Sequence, residues 1–221
     1  MFGVLFVFAS FFLNHNLIIN RRNLIVLSSS LNLPKNNYSN FKPLNAEESD
    51  KTIIQTNKID KINFLGSITD ESCYYLIQSM EMLKEENKCE KIKLNLQSPG
   101  GSLLPAFGVV DYIRSSTIPI DTYINGYVAS AASLISISGN ERYMGKNGLM
   151  LIHSLRTTSD GGTYMNINDN KENADTFMEL LKNIYLSSSK IDLDYLNYLL
   201  SHDLWLNSST CLKYNLVDKL Y

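Results

Sequence analysis

The stretch Ile120-Asp-Thr-Tyr-Ile-Asn-Gly-Tyr-Val-Ala-Ser-Ala-Ala-Ser133 decides the reading of the fold. Ile120 to Ile124 has the branched, aliphatic character of a strand. Gly126 interrupts it, and the small residues around Ser130 then read as a helix that Gly139 stops. A strand that feeds through a glycine into a helix is one unit of an alternating α/β sheet.

The same alternation extends outward in both directions. Ile59 to Leu65 reads as a strand, and Gly66 and Asp70 open a helix with Cys73, Ile77, Met80 and Leu83 at helical spacing. Lys91 to Leu96 alternates charge with Ile92, Leu94 and Leu96, as in a half-buried strand. After Pro99-Gly-Gly101 a helix carries Leu103, Leu104, Phe107, Val110 and Ile113 on one side. Beyond Ser130, Arg142 to Met144 and Leu149 to Ile152 flank Lys146-Asn-Gly148, and Asn-Gly predicts a hairpin-like return that delivers His153 at a strand end. Asp169 to Ser188 reads as a long helix, Leu193 to Ser201 as another, and Ser209 to Tyr214 as a short element. The predicted architecture is α/β with a largely parallel sheet, in a single domain over 47–221.

Residues 1–46 read differently. They hold Arg21, Arg22, Lys35 and Lys42, nine asparagines and no Asp or Glu, so the remainder of the chain carries a net charge of −6. The uncharged run from Met1 to Leu13 is short of the roughly 20 residues of a membrane span, which predicts no stable span, and it suits a signal-peptide core. The basic tract behind it suits a transit peptide. Signal plus transit predicts a plastid location; a mitochondrial address, or none and a cytoplasmic location, are the alternatives, as is a plain unstructured extension. A net charge of −2 and a pI near 5.9 offer no basic field for nucleic acid. Cys73, Cys89 and Cys211 lack metal-ligand spacing, so they read as reduced thiols with no metal bound.

A serine becomes a nucleophile only where a base takes its proton and N–H donors await the oxyanion. Ser130, at the start of a predicted helix, is the candidate nucleophile, although Ala/Ser-rich helices more often use such serines for close packing. Val128 and Ala132 stand where a nucleophile elbow of the Gly-x-Ser-x-Gly type has glycines. Gly100 and Gly101 follow a strand end and let a backbone approach closely, either a substrate strand or an oxyanion. Of three histidines, His15 falls in the presumed presequence, His202 sits on the last turn of a helix, and His153 is best placed as base. Asp160, Asp203 and Asp218 stay open as the carboxylate that orients it.

Six blocks together carry a resemblance to a known family. Ile62-Asn-Phe-Leu-Gly66, Leu96-Gln-Ser-Pro-Gly-Gly101, Gly126-Tyr-Val-Ala-Ser-Ala131, Asn147-Gly-Leu-Met-Leu-Ile-His153, His202-Asp-Leu-Trp-Leu206 and Tyr214-Asn-Leu-Val-Asp218 resemble the proteolytic subunit of the ATP-dependent Clp protease, over about Lys61 to Tyr221. The resemblance implies a crotonase-like ββα-spiral fold with a protruding handle helix. It implies Ser130 as nucleophile, His153 as general base, Asp203 as orienting acid, and the backbone N–H groups of Gly101 and Ala131 as oxyanion hole. It further implies a homo- or hetero-heptameric double ring that cleaves unfolded polypeptides delivered by an AAA+ unfoldase. ATP is then used by that partner, and this chain needs no cofactor.

The chain departs from the family after His153, where Ser154-Leu155 replaces the usual Gln-Pro and a longer Arg156-to-Gly162 stretch follows. The family's basic and aromatic N-terminal segment is not recognisable between Ser39 and Asp60. Two other readings stand beside the peptidase: a noncatalytic ring subunit that keeps the fold, and acyl-CoA chemistry on the same spiral, for which no Lys/Arg cluster for CoA phosphates is evident.

Overall fold

The computed structural model describes residues 16–18, 52–58, 60–86, 89–156 and 163–221. In chain order the elements are β1 (Asn16–Ile18), β2 (Ile53–Lys58), β3 (Lys61–Leu65), α1 (Asp70–Glu86), β4 (Ile92–Ser98), α2 (Leu103–Ser115), β5 (Ile120–Ala129), α3 (Ala131–Ile137), β6 (Arg142–Met144), β7 (Leu149–Leu151), α4 (Tyr164–Ser188), α5 (Leu193–Leu200), β8 (Trp205–Asn207), α6 (Ser208–Lys213) and β9 (Lys219–Leu220). The α/β alternation read from the sequence is the observed architecture.

The sheet runs β1-β2-β3-β4-β5-β6-β9, antiparallel at its β1–β2–β3 end and parallel from β3 to β9. Its centre is β4, whose Ile92, Leu94 and Leu96 are fully buried between flanking strands and helices. The core continues through Leu76, Met80 and Leu83 of α1 and Val109, Val110 and Ile113 of α2. One register row across the sheet carries Asn63, Asn95, Tyr123, Tyr143 and Lys219. Asn95 donates to Asn63 Oδ1 at 2.7 Å, and the Tyr123 and Tyr143 rings stack at 4.4 Å.

Three sequence expectations are corrected. The strand from Ile120 does not stop at Ile124 but continues to Ala129, because exposed Asn125 and Gly126 form a bend and not an end. Gly126 holds φ +83 there, in the left-handed region open to glycine. The segments flanking Asn147-Gly148 do not pair with each other. The tight turn forms, with Gly148 N–H donating to Gly145 C=O at 2.8 Å, but β6 and β7 each pair parallel with β5, Thr122 opposite Arg142 and Tyr127 opposite Leu149. The long helix begins at Tyr164 and not at Asp169, because Thr163 caps it in a reciprocal box with Asn166. β2 was not anticipated.

Of the presumed presequence, only Asn16–Ile18 is described, as the strand paired with β2; the rest, including His15, lies outside the described residues. Among the described residues, no helix is long and apolar enough to cross a membrane.

Candidate active site

β5 brings Ser130 to its position. The β5–β7 ladder pairs Ala129 with Leu151, and the Ser130 N–H donates to the Leu151 carbonyl at 2.9 Å. At Ser130 the chain leaves the sheet at φ 54, ψ −130, a conformation that costs a non-glycine residue about 1–3 kcal/mol. The turn is held from below. The Ser130 carbonyl accepts from Ser133 N–H at 2.9 Å and from Ser133 Oγ at 2.5 Å. Tyr185 of α4, fully buried, shares a 2.6 Å hydrogen bond with Ser133 Oγ. Burial raises the Tyr185 hydroxyl above the ordinary phenol range, so it stays protonated and available as donor. The Ser130 side chain makes no capping bond to α3, which leaves its hydroxyl free to face the cavity.

The Pro99-Gly100-Gly101 turn lies against this corner. Gly100, at φ +91, packs so tightly that a Cβ would stand 2.5 Å from the Ala129 carbonyl oxygen and 2.7 Å from Ser130 Cβ. A Cβ on Gly101 would meet the Ile68 carbonyl oxygen at 2.1 Å. The contact is a backbone bridge: Ile68 N–H donates to Gly100 C=O at 2.8 Å, and Ser102 N–H donates to Ile68 C=O at 2.9 Å. Gly101 sits between two engaged neighbours and lines the cavity. Both positions therefore require glycine for space as well as for dihedral angle.

Pro99, Gly101, Ser130, Ala131, His153 and Arg156 share a cavity of about 410 Å³, which Leu103, Leu181 and Tyr185 also line. His153 leaves the end of β7, half-buried, with its Nδ1–H donating to the Ser154 carbonyl at 2.6 Å. That bond puts the lone pair of the neutral ring on Nε2, the tautomer a general base needs. Among the described residues, no hydrogen bond joins Ser130 Oγ to the imidazole or the imidazole to Asp203.

Asp203, in the turn between α5 and β8, is exposed. Its Oδ2 accepts from Arg156 Nη2 at 2.5 Å, with side-chain exposures of 59% and 69%. Arg156 was not singled out from the sequence as part of the site. Its only sequence signal is its place three residues after His153, in the stretch where the chain departs from the resemblance.

The other sequence candidates are elsewhere. His202 follows α5, its Nδ1–H donating to the Tyr198 carbonyl at 2.7 Å and its ring lying 4.3 Å from the Tyr198 ring, a helix-end role. Asp218 pairs with buried Arg142 at 2.7 Å, at the start of β6. Asp160 lies outside the described residues. Cys73, Cys89 and Cys211 are free thiols, the first and last buried.

The chain is similar to the ATP-dependent Clp protease proteolytic subunits of Cyanophora paradoxa, 23% identical over 83% of this chain and 94% of the relative, and of Bdellovibrio bacteriovorus, 28% identical over 72% and 77%. It is also similar to that of Mesostigma viride, 26% identical over 73% and 71%. The Clp protease family model matches residues 45–221, from before β2 to the last residue. A match of that extent, on an α/β sheet with the Ser130 turn at the end of its longest strand, places the chain in the Clp protease family.

Proposed function

We infer that the chain is a serine endopeptidase subunit of a Clp-type protease, with Ser130 as nucleophile. The observation that carries this reading is the convergence on one cavity of a strained, uncapped serine, a histidine with its lone pair on Nε2, and a glycine turn pressed against the serine. His153 Nε2 takes the Ser130 proton as Oγ attacks a peptide carbonyl. The oxyanion accepts from the N–H groups of Gly101 and Ala131. The imidazolium then gives its proton to the leaving amine, and water releases the acyl group by the same steps in reverse order. Asp203 orients the imidazole and offsets its positive charge once it turns from Arg156 to His153.

Assembly belongs to the same reading. α4 runs 25 residues, about 37 Å at 1.5 Å per residue, and its first turns expose Tyr164, Met165 and Ile167. This outward apolar surface supports α4 as the handle that meets other proteolytic subunits in a homo- or hetero-heptameric double ring. An AAA+ unfoldase supplies unfolded polypeptide and uses the ATP, and no cofactor is held by this chain. The basic, acid-free first 46 residues support delivery to a plastid.

The Arg156–Asp203 pair favours a second reading, a ring subunit whose acid is tied away from its histidine and which cleaves nothing. Fluorophosphonate labelling of the assembled ring separates the two. Labelling of the parent chain and not of Ser130→Ala supports the peptidase; an assembled ring of parent chain that takes no label overturns it.

A further inference from the structure

Among the described residues, the cavity beside Ser130 has a single permanently charged residue in its lining, Arg156, and the rest is serine, histidine, tyrosine, backbone and aliphatic side chains. That guanidinium holds a carboxylate, Asp203, at 2.5 Å. The pair is exposed on both sides, at 69% and 59%. Exposed ion pairs are worth roughly 0–1 kcal/mol, so this one exchanges readily for another carboxylate of similar reach. An acidic side chain that a bound peptide brings into the cavity can therefore displace Asp203 from Arg156.

Resting on the peptidase reading, we propose that Arg156 is the specificity-determining residue of this cleft. It selects peptides with a Glu or Asp side chain next to the bond to be cleaved, and Asp203 occupies it between substrates. A guanidinium presents a planar fork of donors that matches a carboxylate, and at the rim of an otherwise uncharged cavity it discriminates Glu from its neutral isostere Gln. The exchange has a second effect. A substrate carboxylate on Arg156 releases Asp203, whose turn lies beside the His153 segment, since Ser154 N–H donates to the Leu200 carbonyl at 3.0 Å. An acidic substrate is thus both held and given a site with its carboxylate free. The apolar lining from Leu103, Leu181 and Tyr185 receives the stem of the side chain.

The test uses the full chain and matched peptides that differ only in Glu against Gln, placed in turn at the two positions on each side of the scissile bond. Binding is read by fluorescence anisotropy on the Ser130→Ala chain, so that it does not depend on cleavage, and kcat/KM is read on the parent. The expected result is a three- to fivefold preference for Glu at one position, about the range of an exposed ion pair. The preference disappears in Arg156→Gln, reverses in Arg156→Glu and is partly kept in Arg156→Lys. Equal binding of Glu and Gln peptides at all positions overturns the proposal, as does a preference that survives Arg156→Gln. Charge-selective binding without cleavage upholds Arg156 and counts against the peptidase. Cleavage without charge selection does the opposite.

Discussion

Tyr185 donates its hydroxyl to Ser133 Oγ across 2.6 Å, while the single Ser133 proton goes to the Ser130 carbonyl. A residue of α4 thereby buttresses the turn that aims Ser130. Ser133→Ala strands a fully buried phenol, a cost of about 1–3 kcal/mol, whereas Tyr185→Phe removes one bond and costs about 1 kcal/mol. Thermal denaturation is expected to show the larger drop for Ser133→Ala, at roughly 2–4 °C per kcal/mol. Fluorophosphonate labelling of Ser130 is expected to slow in both variants.

Gly101→Ala and Gly108→Ala are opposite cases of one substitution. At Gly101 the new methyl meets the Ile68 carbonyl oxygen at 2.1 Å, so the turn must shift and its N–H moves with it. If the Gly101 N–H is one of the two oxyanion donors, as proposed, its displacement is expected to lower kcat about 10² to 10³-fold. Gly108, within α2, has open space for 4 Å around the position a Cβ would take. There alanine is expected to stabilise by about 0.5–1 kcal/mol with kcat unchanged. Peptide turnover and urea melts of the two variants check both outcomes.

The Arg142–Asp218 pair predicts an acid limb in stability. Arg142 is 6% exposed and donates to Asp218 through its backbone N–H, Nε and Nη2, and these bonds hold the Asp218 carboxyl below its usual range. A depressed folded-state value stabilises the fold above the unfolded carboxylate pKa, near 4, and is lost as the pH falls through the lowered value. Asp218→Asn is expected to flatten the stability profile in that interval. It also leaves a buried guanidinium underpaired at every pH, at about 3 kcal/mol. Urea denaturation between about pH 2 and 7 distinguishes the two effects.

Thiol chemistry is also ordered by burial. Cys73 and Cys211 are pushed up to about 12, so at pH 8 only about 10⁻⁴ of either is thiolate. Cys89 is raised as well but is only half-buried. Native-state alkylation with iodoacetamide, mapped by mass spectrometry, is expected to modify Cys89 first and to reach the other two only on unfolding.

What was legible beforehand followed local periodicity. Ile92, Leu94 and Leu96 alternate because β4 is covered at those positions, and Cys73, Met80 and Leu83 of α1 and Val110 and Ile113 of α2 recur at helical spacing for the same reason, whereas Leu104, expected on the same side of α2, is exposed. The end of β5 was not legible, since Asn125 and Gly126 break the aliphatic pattern and Val128 to Ser133 suits a small-residue helix equally well. Long-range pairing on both edges keeps the chain extended there, with β7 from Tyr127 opposite Leu149 and with β4 at Val128 opposite Ser98. The Asn147-Gly148 turn was correctly read, but its flanks found partners in β5 and not in each other. Ser130, His153 and Gly101 were found by type and order, and the structure gathers them on one cavity. Arg156 could not be found that way, because an exposed ion pair spanning 47 residues leaves no periodic trace.

β5 is a single beam with two tenants. Its first half carries β6 and, through β6, the C-terminal β9; its second half carries β7 and leads into Ser130. The Tyr143–Lys219 row and the Ser130 turn are therefore joined by one continuous strand, with Gly126 at φ +83 as the bend between them. Any other residue at 126 would have to hold that left-handed angle to keep the β6 and β7 pairings on the same strand.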